Sequence, residues 1–170
     1  MLCSRSWRRI SKERFTLGIT DDVTFLSLPE VKPAPITAAA GTKECKFWGL
    51  GGDGTVGANK NSVKIIGDHT DKYVQAYFQY DSKKTGGVTI SHLRFGDKPI
   101  RSPYYINQAD FVACHNPAYI HMGMKMVQDV KPGGVFMINC QWSDEELGQH
   151  LNAEAKKYIA DNNIQLYTIN

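Results

Sequence analysis

The sequence predicts an α/β fold of three layers, with a mainly parallel or mixed sheet between two layers of helices. Short apolar or β-branched stretches alternate with amphipathic ones from residue 45 onward, and this alternation is typical of strands joined by crossover helices. A glycine-rich turn separates the first predicted strand from the first predicted helix, which favours the same class. A chain of 170 residues is long enough for one such domain and too short for two.

The beginning of the chain differs from the rest in charge and composition. Residues 1–14 hold five basic side chains and one acidic one, a net +4, so the remaining residues sum to −1 in a chain of net charge +3. Such leaders occur in organelle-targeting peptides, but we favour an unstructured terminus. Residues 15–28 are expected to form two extended pieces around a turn at Asp21 and Asp22. Residues 29–41 hold three prolines and favour a linker.

Three strands and one helix are expected in the first part of the domain that follows. Apolar residues at 45–50 predict a buried strand, which leads into the glycine-rich turn. Apolar spacing predicts a helix at 55–66, with Gly67 as its C-terminal stop. The aromatic stretch Tyr73–Tyr80 and the alternating stretch 88–95 both predict strands.

The second part is expected to continue the alternation of strands and helices. Residues 109–114 and 135–140 predict buried strands, with a helix at 117–130 that ends in a KPGG turn at 131–134. A capping box beginning at Ser143 opens the clearest predicted helix, at 143–161, and residues 164–169 predict a last strand.

Charge and cysteine content exclude several classes of function. The basic residues are concentrated in the leader, so neither a nucleic-acid partner nor a basic binding face is expected. No apolar run approaches the roughly 18 residues of a membrane-spanning helix, so no membrane partner is expected. The four cysteines form no C-x-x-C pair, which argues against a local zinc or iron–sulfur site. Cys114 and Cys140 are interpreted as core thiols, and unpaired cysteines favour a reducing, cytoplasmic compartment.

The strongest local feature is the glycine-rich turn within FWGLGGDGTVGANKNSVKIIG. Five glycines lie at 49–57, so the backbone can adopt positive φ and approach a ligand closely. Unpaired amides and the dipole of the following helix attract anions, and we expect a phosphate or diphosphate here. Gly49-x-Gly51-x-x-Gly54 matches the dinucleotide fingerprint, which is weak evidence alone. A tight turn without a ligand is the alternative.

A second candidate segment, YDSKKTGG at 80–87, follows the second predicted strand. In a nicotinamide-binding fold Asp81 would hold the ribose hydroxyls, whereas Lys83 and Lys84 favour a ligand with an additional phosphate. The carboxyl ends of neighbouring parallel strands share one edge of a sheet, so this segment is expected near the glycine-rich turn. Two solvated lysines are the alternative.

The five histidines form no catalytic or metal-binding motif. His115 follows a predicted strand and would face the same edge of the sheet. No nucleophile or acid can be named beside it, so we assign it a structural role.

Three long segments carry a resemblance to a known family. GGDGTVGANKNSVKIIG, YFQYDSKKTGGVTISHLRFG and IRSPYYINQADFVACHN resemble the central, γ-type domain of single-chain pyruvate:ferredoxin or flavodoxin oxidoreductases. FTLGITDDVTFLSLP resembles the end of the domain that precedes it, and residues 1–14 match nothing in the family. On this resemblance, residues 15–42 form the tail of that preceding domain with a Pro/Ala linker. Residues 43–170 form a γ-type domain that is incomplete at its C-terminus.

The resemblance implies an enzyme of anaerobic metabolism that oxidatively decarboxylates pyruvate to acetyl-CoA and CO2 and passes electrons to ferredoxin or flavodoxin. The complete enzyme uses coenzyme A, thiamine diphosphate with Mg2+, and [4Fe-4S] clusters, and it is expected to be a homodimer. In the family, the glycine turn and a lysine of the D-S-K-K segment contact coenzyme A. This carries over to Gly51, Gly52, Asp53, Gly54, Thr55 and Lys83. No catalytic or metal-binding residue is expected within this chain.

The chain also departs from the family pattern. Thiamine-binding segments and cluster cysteines are missing, and Gly52 stands where the family often has serine. The chain alone is therefore expected to be inactive and to act with the remaining domains of the oxidoreductase. Two alternatives stay open: an NAD(P)-dependent Rossmann-type domain, supported by the fingerprint and Asp81, and a non-catalytic assembly module.

Overall fold

A six-stranded mixed sheet organises the chain from Lys43 onward in the computed structural model, which describes residues 13–30, 37–82 and 86–170. The strands are β1 (Lys43–Leu50), β2 (Tyr73–Tyr80), β3 (Val88–Gly96), β4 (Ala109–Cys114), β5 (Val130–Asn139) and β6 (Gln165–Ile169). The helices are α1 (Thr55–His69), α2 (Ala118–His121), α3 (Asp144–His150) and α4 (Ala153–Asp161), with a short 3-10 turn at Val127–Asp129.

The strand order in the sheet is β2-β3-β1-β4-β5-β6. Strands β1, β4, β5 and β6 run parallel to their neighbours in this series, whereas β3 is antiparallel to both β1 and β2. The predicted α/β fold with a mainly parallel or mixed sheet is therefore confirmed. Within the described residues, no helix has the length and apolar content needed to cross a membrane.

Helices cover both faces of the sheet, as the three-layer prediction requires. On one face, Val112 and Phe136 pack in the main core with Leu147 of α3 and Ala155 of α4. The residue row Tyr77–His92–Lys46–Val112 runs across four strands on that face. Successive strand residues point to opposite faces, so Phe78 points away from this core. Lys60 of α1 lies 5.5 Å from the ring of Phe78, and α1 packs on β1, β2 and β3.

Several element predictions are confirmed. Strands β2 and β4 have the predicted bounds, and α1 begins at the predicted Thr55. The capping box at α3 is present, since Ser143 accepts from the Glu146 amide while the Glu146 side chain accepts from the Ser143 amide.

Other element predictions are wrong, for local reasons. Gly67 does not end α1, which continues to His69, where the Thr70 hydroxyl donates to the carbonyl of Ile66 at 2.6 Å. The predicted helix at 117–130 stops after one turn, because Gly123 adopts a φ of +70°. The predicted helix at 143–161 is two helices, because Asn152 caps a new one by accepting from the Ala155 amide at 2.7 Å.

The predicted KPGG turn at 131–134 is also wrong, because these residues lie inside β5. The pairing of β4 with β5 shifts register between Ala109 and Phe111, and Gly133 adopts a φ of +75°. A β-carbon on Gly134 would lie 2.9 Å from the Asp110 carbonyl oxygen. The glycines therefore make an irregularity within a strand rather than a connection between elements.

The chain divides into two units, Met1–Thr37 and Ala38–Asn170. In the first unit, Thr16 and Ser27 form an isolated bridge, and the Asp21 carboxylate accepts from the amides of Val23 and Thr24. This matches the turn expected at Asp21. Residues 1–12 of the leader and 31–36 of the linker lie outside the described residues. The assignment of residues 15–42 to a neighbouring domain stays a prediction.

Four adjacent strands share a network of charged side chains whose centre is buried. Arg94 Nε of β3 donates to Glu44 Oε1 of β1 at 2.9 Å, and Lys131 Nζ of β5 donates to Glu44 Oε2 at 2.8 Å. Lys131 Nζ also donates to Asp110 Oδ2 of β4 at 3.2 Å. Arg94 is 1% exposed and Glu44 8%. Loss of Glu44 would leave the buried Arg94 guanidinium without its carboxylate partner, which is costly.

His92 of β3 is a buried neutral imidazole, with 2% of its surface exposed. The Ile106 amide donates to Nδ1 at 3.1 Å, so Nε2 carries the proton and donates to Gln79 Oε1 at 3.3 Å. The ring stacks on Tyr105 at a centroid distance of 4.8 Å. Burial, assisted by Lys46 and Arg94, lowers the pKa of His92 to about 4.

We expect the free energy of unfolding to fall as pH drops below 6.5. His92 is protonated near pH 6.5 in the unfolded chain but only near pH 4 in the folded protein, so protonation favours the unfolded state between these values. Between pH 7 and pH 5 the loss due to His92 is about 2 kcal/mol. Urea unfolding at the two pH values measures it. His92→Gln should show a smaller loss, although not zero, because burial also lowers the pKa of His115. An equal loss in the variant would contradict the assignment.

Candidate functional site

The connection from β1 to α1 is built on a close approach of strand and helix. A β-carbon on Gly49 would lie 2.3 Å from Thr55 Oγ1, a distance that real β-carbons do not reach. Thr55, the first residue of α1, is 3% exposed. The helix can begin beside the end of β1 only because position 49 has no side chain.

The Asp53 side chain links the end of β1 to the start of α1. Its Oδ2 accepts from the Leu50 amide at 2.7 Å and its Oδ1 from the Thr55 amide at 2.8 Å. The carboxylate therefore lies at the amino end of α1, where the helix dipole favours a negative charge. The predicted role of Asp53 as a ligand contact stays a prediction, and its carboxylate already serves the turn.

Other amides of the turn remain available to a ligand. Gly52 and Gly54 adopt φ angles of +96° and +88°, and a β-carbon at either would meet open space. Gly54 caps α1 without a side chain. Among the described residues, no protein acceptor is found for the amides of Gly52, Gly54, Val56 and Gly57. Unpaired amides at a helix amino end can donate to an anion, and the binding of a phosphate here stays a prediction.

The segment before β3 lies against the same turn. The Gly51 amide donates to the Gly87 carbonyl at 2.7 Å, and the Gly86 amide donates to the Gly51 carbonyl at 3.3 Å. The backbone of Gly51 is therefore engaged by protein. Lys83, together with Lys84, lies outside the described residues, but Gly86 places the end of the YDSKKTGG segment beside the glycine turn.

A cleft of about 510 Å³ opens next to the turn, at the carboxyl ends of β1, β4, β5 and β6. It is lined by Asp53, Gly54, Thr55, Ala58, His115, Asn116, Met137, Asn139, Ile169 and Asn170. This edge of a parallel sheet is where ligands of α/β proteins commonly bind, and the volume is ordinary for a ligand pocket.

His115 is a cleft residue to which the sequence argument assigned only a structural role. Its Nδ1 lies 2.9 Å from Thr55 Oγ1, within hydrogen-bond distance. Burial lowers the pKa of His115, although the Asp53 carboxylate opposes the shift, so the imidazole is neutral at pH 7. Only its place after a strand could have indicated this position, since the partner Thr55 is 60 residues away.

Cys45, Cys114 and Cys140 are free and buried. Burial raises the pKa values of Cys45 and Cys114 to about 12, so both thiols stay protonated. The prediction that Cys114 and Cys140 are core thiols is confirmed. Within the described ranges, no group of three or more His, Cys, Asp or Glu side chains could hold a metal ion.

Comparison with known proteins gives consistent matches. The family model described as pyruvate ferredoxin/flavodoxin oxidoreductase matches residues 44–170. The chain is 56% identical over 156 residues to a pyruvate-flavodoxin oxidoreductase of Klebsiella pneumoniae, which covers 92% of this chain. It is 58% identical over 158 residues to a pyruvate:ferredoxin oxidoreductase of Moorella thermoacetica, covering 93% of this chain. The chain spans 13% of the length of each of these relatives.

Two solved structures share the fold. A pyruvate oxidoreductase subunit from Thermotoga maritima aligns with a TM-score of 0.53 and 20% identity, over 65% of this chain and 57% of that one. The γ subunit of a keto/oxoacid ferredoxin oxidoreductase from Geobacter sulfurreducens aligns with a TM-score of 0.51 and 22% identity, over 76% of this chain and 61% of that one. At these identities the likeness shows the fold alone.

Gly49→Ala should destabilise the protein by about 1 to 3 kcal/mol, because the new methyl group forces α1 away from β1. The matched control is Gly148→Ala in α3, where a β-carbon meets open space. There alanine should stabilise by about 0.5 to 1 kcal/mol through helix propensity. Denaturant unfolding compares the two variants. Equal, small effects would show that Gly49 is not required for the strand-to-helix approach.

Proposed function

The chain belongs to the pyruvate ferredoxin/flavodoxin oxidoreductase family, and we propose that it contributes coenzyme A binding to an enzyme of that family. The glycine turn supports the proposal most directly, because free amides at Gly52, Gly54, Val56 and Gly57 stand beside a cleft at the sheet edge. Backbone donors at a helix amino end suit the diphosphate of coenzyme A.

Asp53 imposes an electrostatic requirement on such a ligand. Its carboxylate lies at the same helix end as the free amides, so a diphosphate would approach a charge of its own sign. A nearby cation offsets this repulsion. We propose that Lys83 supplies it, because its segment returns to the glycine turn at Gly86 and Gly87.

In the complete enzyme the proposed activity is oxidative decarboxylation of pyruvate to acetyl-CoA and CO2, with electrons passed to ferredoxin or flavodoxin. Coenzyme A, when bound, supplies the thiol that accepts the acetyl group. Among Gly51, Gly52, Asp53, Gly54, Thr55 and Lys83, the proposed contacts to the nucleotide end of coenzyme A are the free amides of Gly52 and Gly54 and the charge of Lys83, while Gly51, Asp53 and Thr55 hold the turn in place. Thiamine diphosphate with Mg2+ and the [4Fe-4S] clusters are proposed to reside in other parts of the enzyme, with a homodimeric and cytoplasmic assembly.

Calorimetric titration of this chain with coenzyme A, dephospho-coenzyme A and NAD+ tests the proposal. We expect coenzyme A to bind most tightly, because only it carries the additional 3′-phosphate. Lys83→Ala should weaken coenzyme A binding by about 1 to 3 kcal/mol and affect dephospho-coenzyme A less. Lys84→Ala is the matched control from the same segment.

Two outcomes of this titration would contradict the proposal. Preferential binding of NAD+ would favour the Rossmann-type alternative, with Asp81 on the ribose. A folded chain that binds none of the three ligands would favour the assembly module.

Gly54→Val should abolish coenzyme A binding, because a branched side chain is strained at a φ of +88° and stands among the free amides. Gly54→Asn separates strain from obstruction, since asparagine tolerates left-handed backbone. We expect Asn to preserve the thermal midpoint while lowering affinity at least about tenfold. Full affinity in Gly54→Asn, measured by the same titration, would place the ligand elsewhere.

A further inference from the structure

The first turn of α1 is intrinsically weak, although it carries the amides of the proposed site. Gly54 caps the helix without a side chain, and Gly57 lies within the first turn. Glycine costs up to about 1 kcal/mol relative to alanine in a helix, so these positions favour fraying. The turn therefore depends on contacts from outside the helix to stay ordered.

Asp53 and His115 both provide such contacts. Asp53 accepts from the Thr55 amide, but it belongs to the turn itself. His115 reaches the Thr55 hydroxyl from the end of β4, at 2.9 Å from Nδ1. The hydroxyl lies in the space left by Gly49, so it has little freedom to move.

His115 is itself held by hydrogen bonds to two strands of the sheet. Its amide donates to the Trp48 carbonyl at 3.0 Å, and its carbonyl accepts from Asn139 Nδ2 at 3.2 Å. Its ring contacts Phe47 at a centroid distance of 5.9 Å. The backbone of His115 is thus fixed to β1 and β5, and its imidazole packs beside Phe47 at the sheet edge.

We propose that His115 is the positioning residue of this site: through Thr55 it fixes the first turn of α1, so that the free amides converge on the ligand diphosphate. This rests on the proposed function. Convergent donors lose much of their effect when they are displaced by small distances, so loss of this hydrogen bond should weaken binding without removing any donor.

A set of substitutions separates positioning from direct contact. Asn at 115 can keep a polar atom near the Nδ1 position but cannot reach the Nε2 position, whereas Gln reaches the Nε2 position. Thr55→Val removes the hydroxyl at constant shape, and Thr55→Ser keeps it. His69→Ala, at the exposed far end of α1, is the control.

In titrations of the chain with coenzyme A, we expect His115→Ala and Thr55→Val to weaken binding about fivefold to twentyfold, and His115→Asn and Thr55→Ser to stay within about threefold of wild type. The double variant His115→Ala with Thr55→Val should lose little more than either single variant. In NMR spectra without ligand, exchange of the hydrogen-bonded first-turn amides of Thr55 and Ala58 should rise in His115→Ala and not in His69→Ala.

Three results bear differently on the two proposals. Unchanged affinity and unchanged amide exchange in His115→Ala would overturn the positioning role. Wild-type affinity in His115→Gln, with loss in His115→Asn, would overturn it in favour of a direct contact from Nε2. A wild-type chain that binds no coenzyme A, but whose first turn loosens in His115→Ala, would contradict the proposed function while supporting the role of His115 in ordering the turn.

Discussion

The approach of α1 to the end of β1 depends on the missing β-carbon of Gly49. Thr55 Oγ1 occupies the space that a side chain would take, and this fixes where the helix begins. The other features at the carboxyl edge of the sheet follow from where α1 begins. The Asp53 carboxylate can span from the Leu50 amide to the Thr55 amide, the Thr55 hydroxyl meets His115, and the cleft opens beside them.

The amino end of α1 carries both the Asp53 carboxylate and backbone amides that have no protein acceptor among the described residues. Asp53 stabilises the turn in the absence of ligand, and it does not accept hydrogen bonds from the amides of Gly54, Val56 and Gly57. A ligand phosphate therefore does not have to displace the internal cap. It does have to tolerate a carboxylate at close range, which makes cationic side chains near the turn part of the same electrostatic arrangement.

Sequence patterns predicted the elements whose signal is local. Tyr73–Tyr80 and Ala109–Cys114 are strands because their composition suits a sheet, and Thr55 starts a helix directly after a glycine cap. Patterns failed where glycine is compatible with two structures, a turn between elements and an irregularity within a strand. Gly133 was expected to lie in a turn and instead lies in an irregular part of β5. The glycine turn was predicted, but the contact of Thr55 with His115 was not. It depends on the parallel pairing of β1 with β4, which no local pattern records.

The buried charges of the sheet also bear on when the protein can fold during synthesis. Glu44 precedes its partners Arg94 and Lys131 by 50 and 87 residues along the chain. At ribosomal rates of about 5 to 20 residues per second, the second cation follows the carboxylate by roughly 4 to 17 s. Until then β1 carries an acid that is costly to bury, which keeps the central strand hydrated. The same acid, together with Lys43 and Lys46 of the same strand, discourages premature pairing of β1 with other nascent chains.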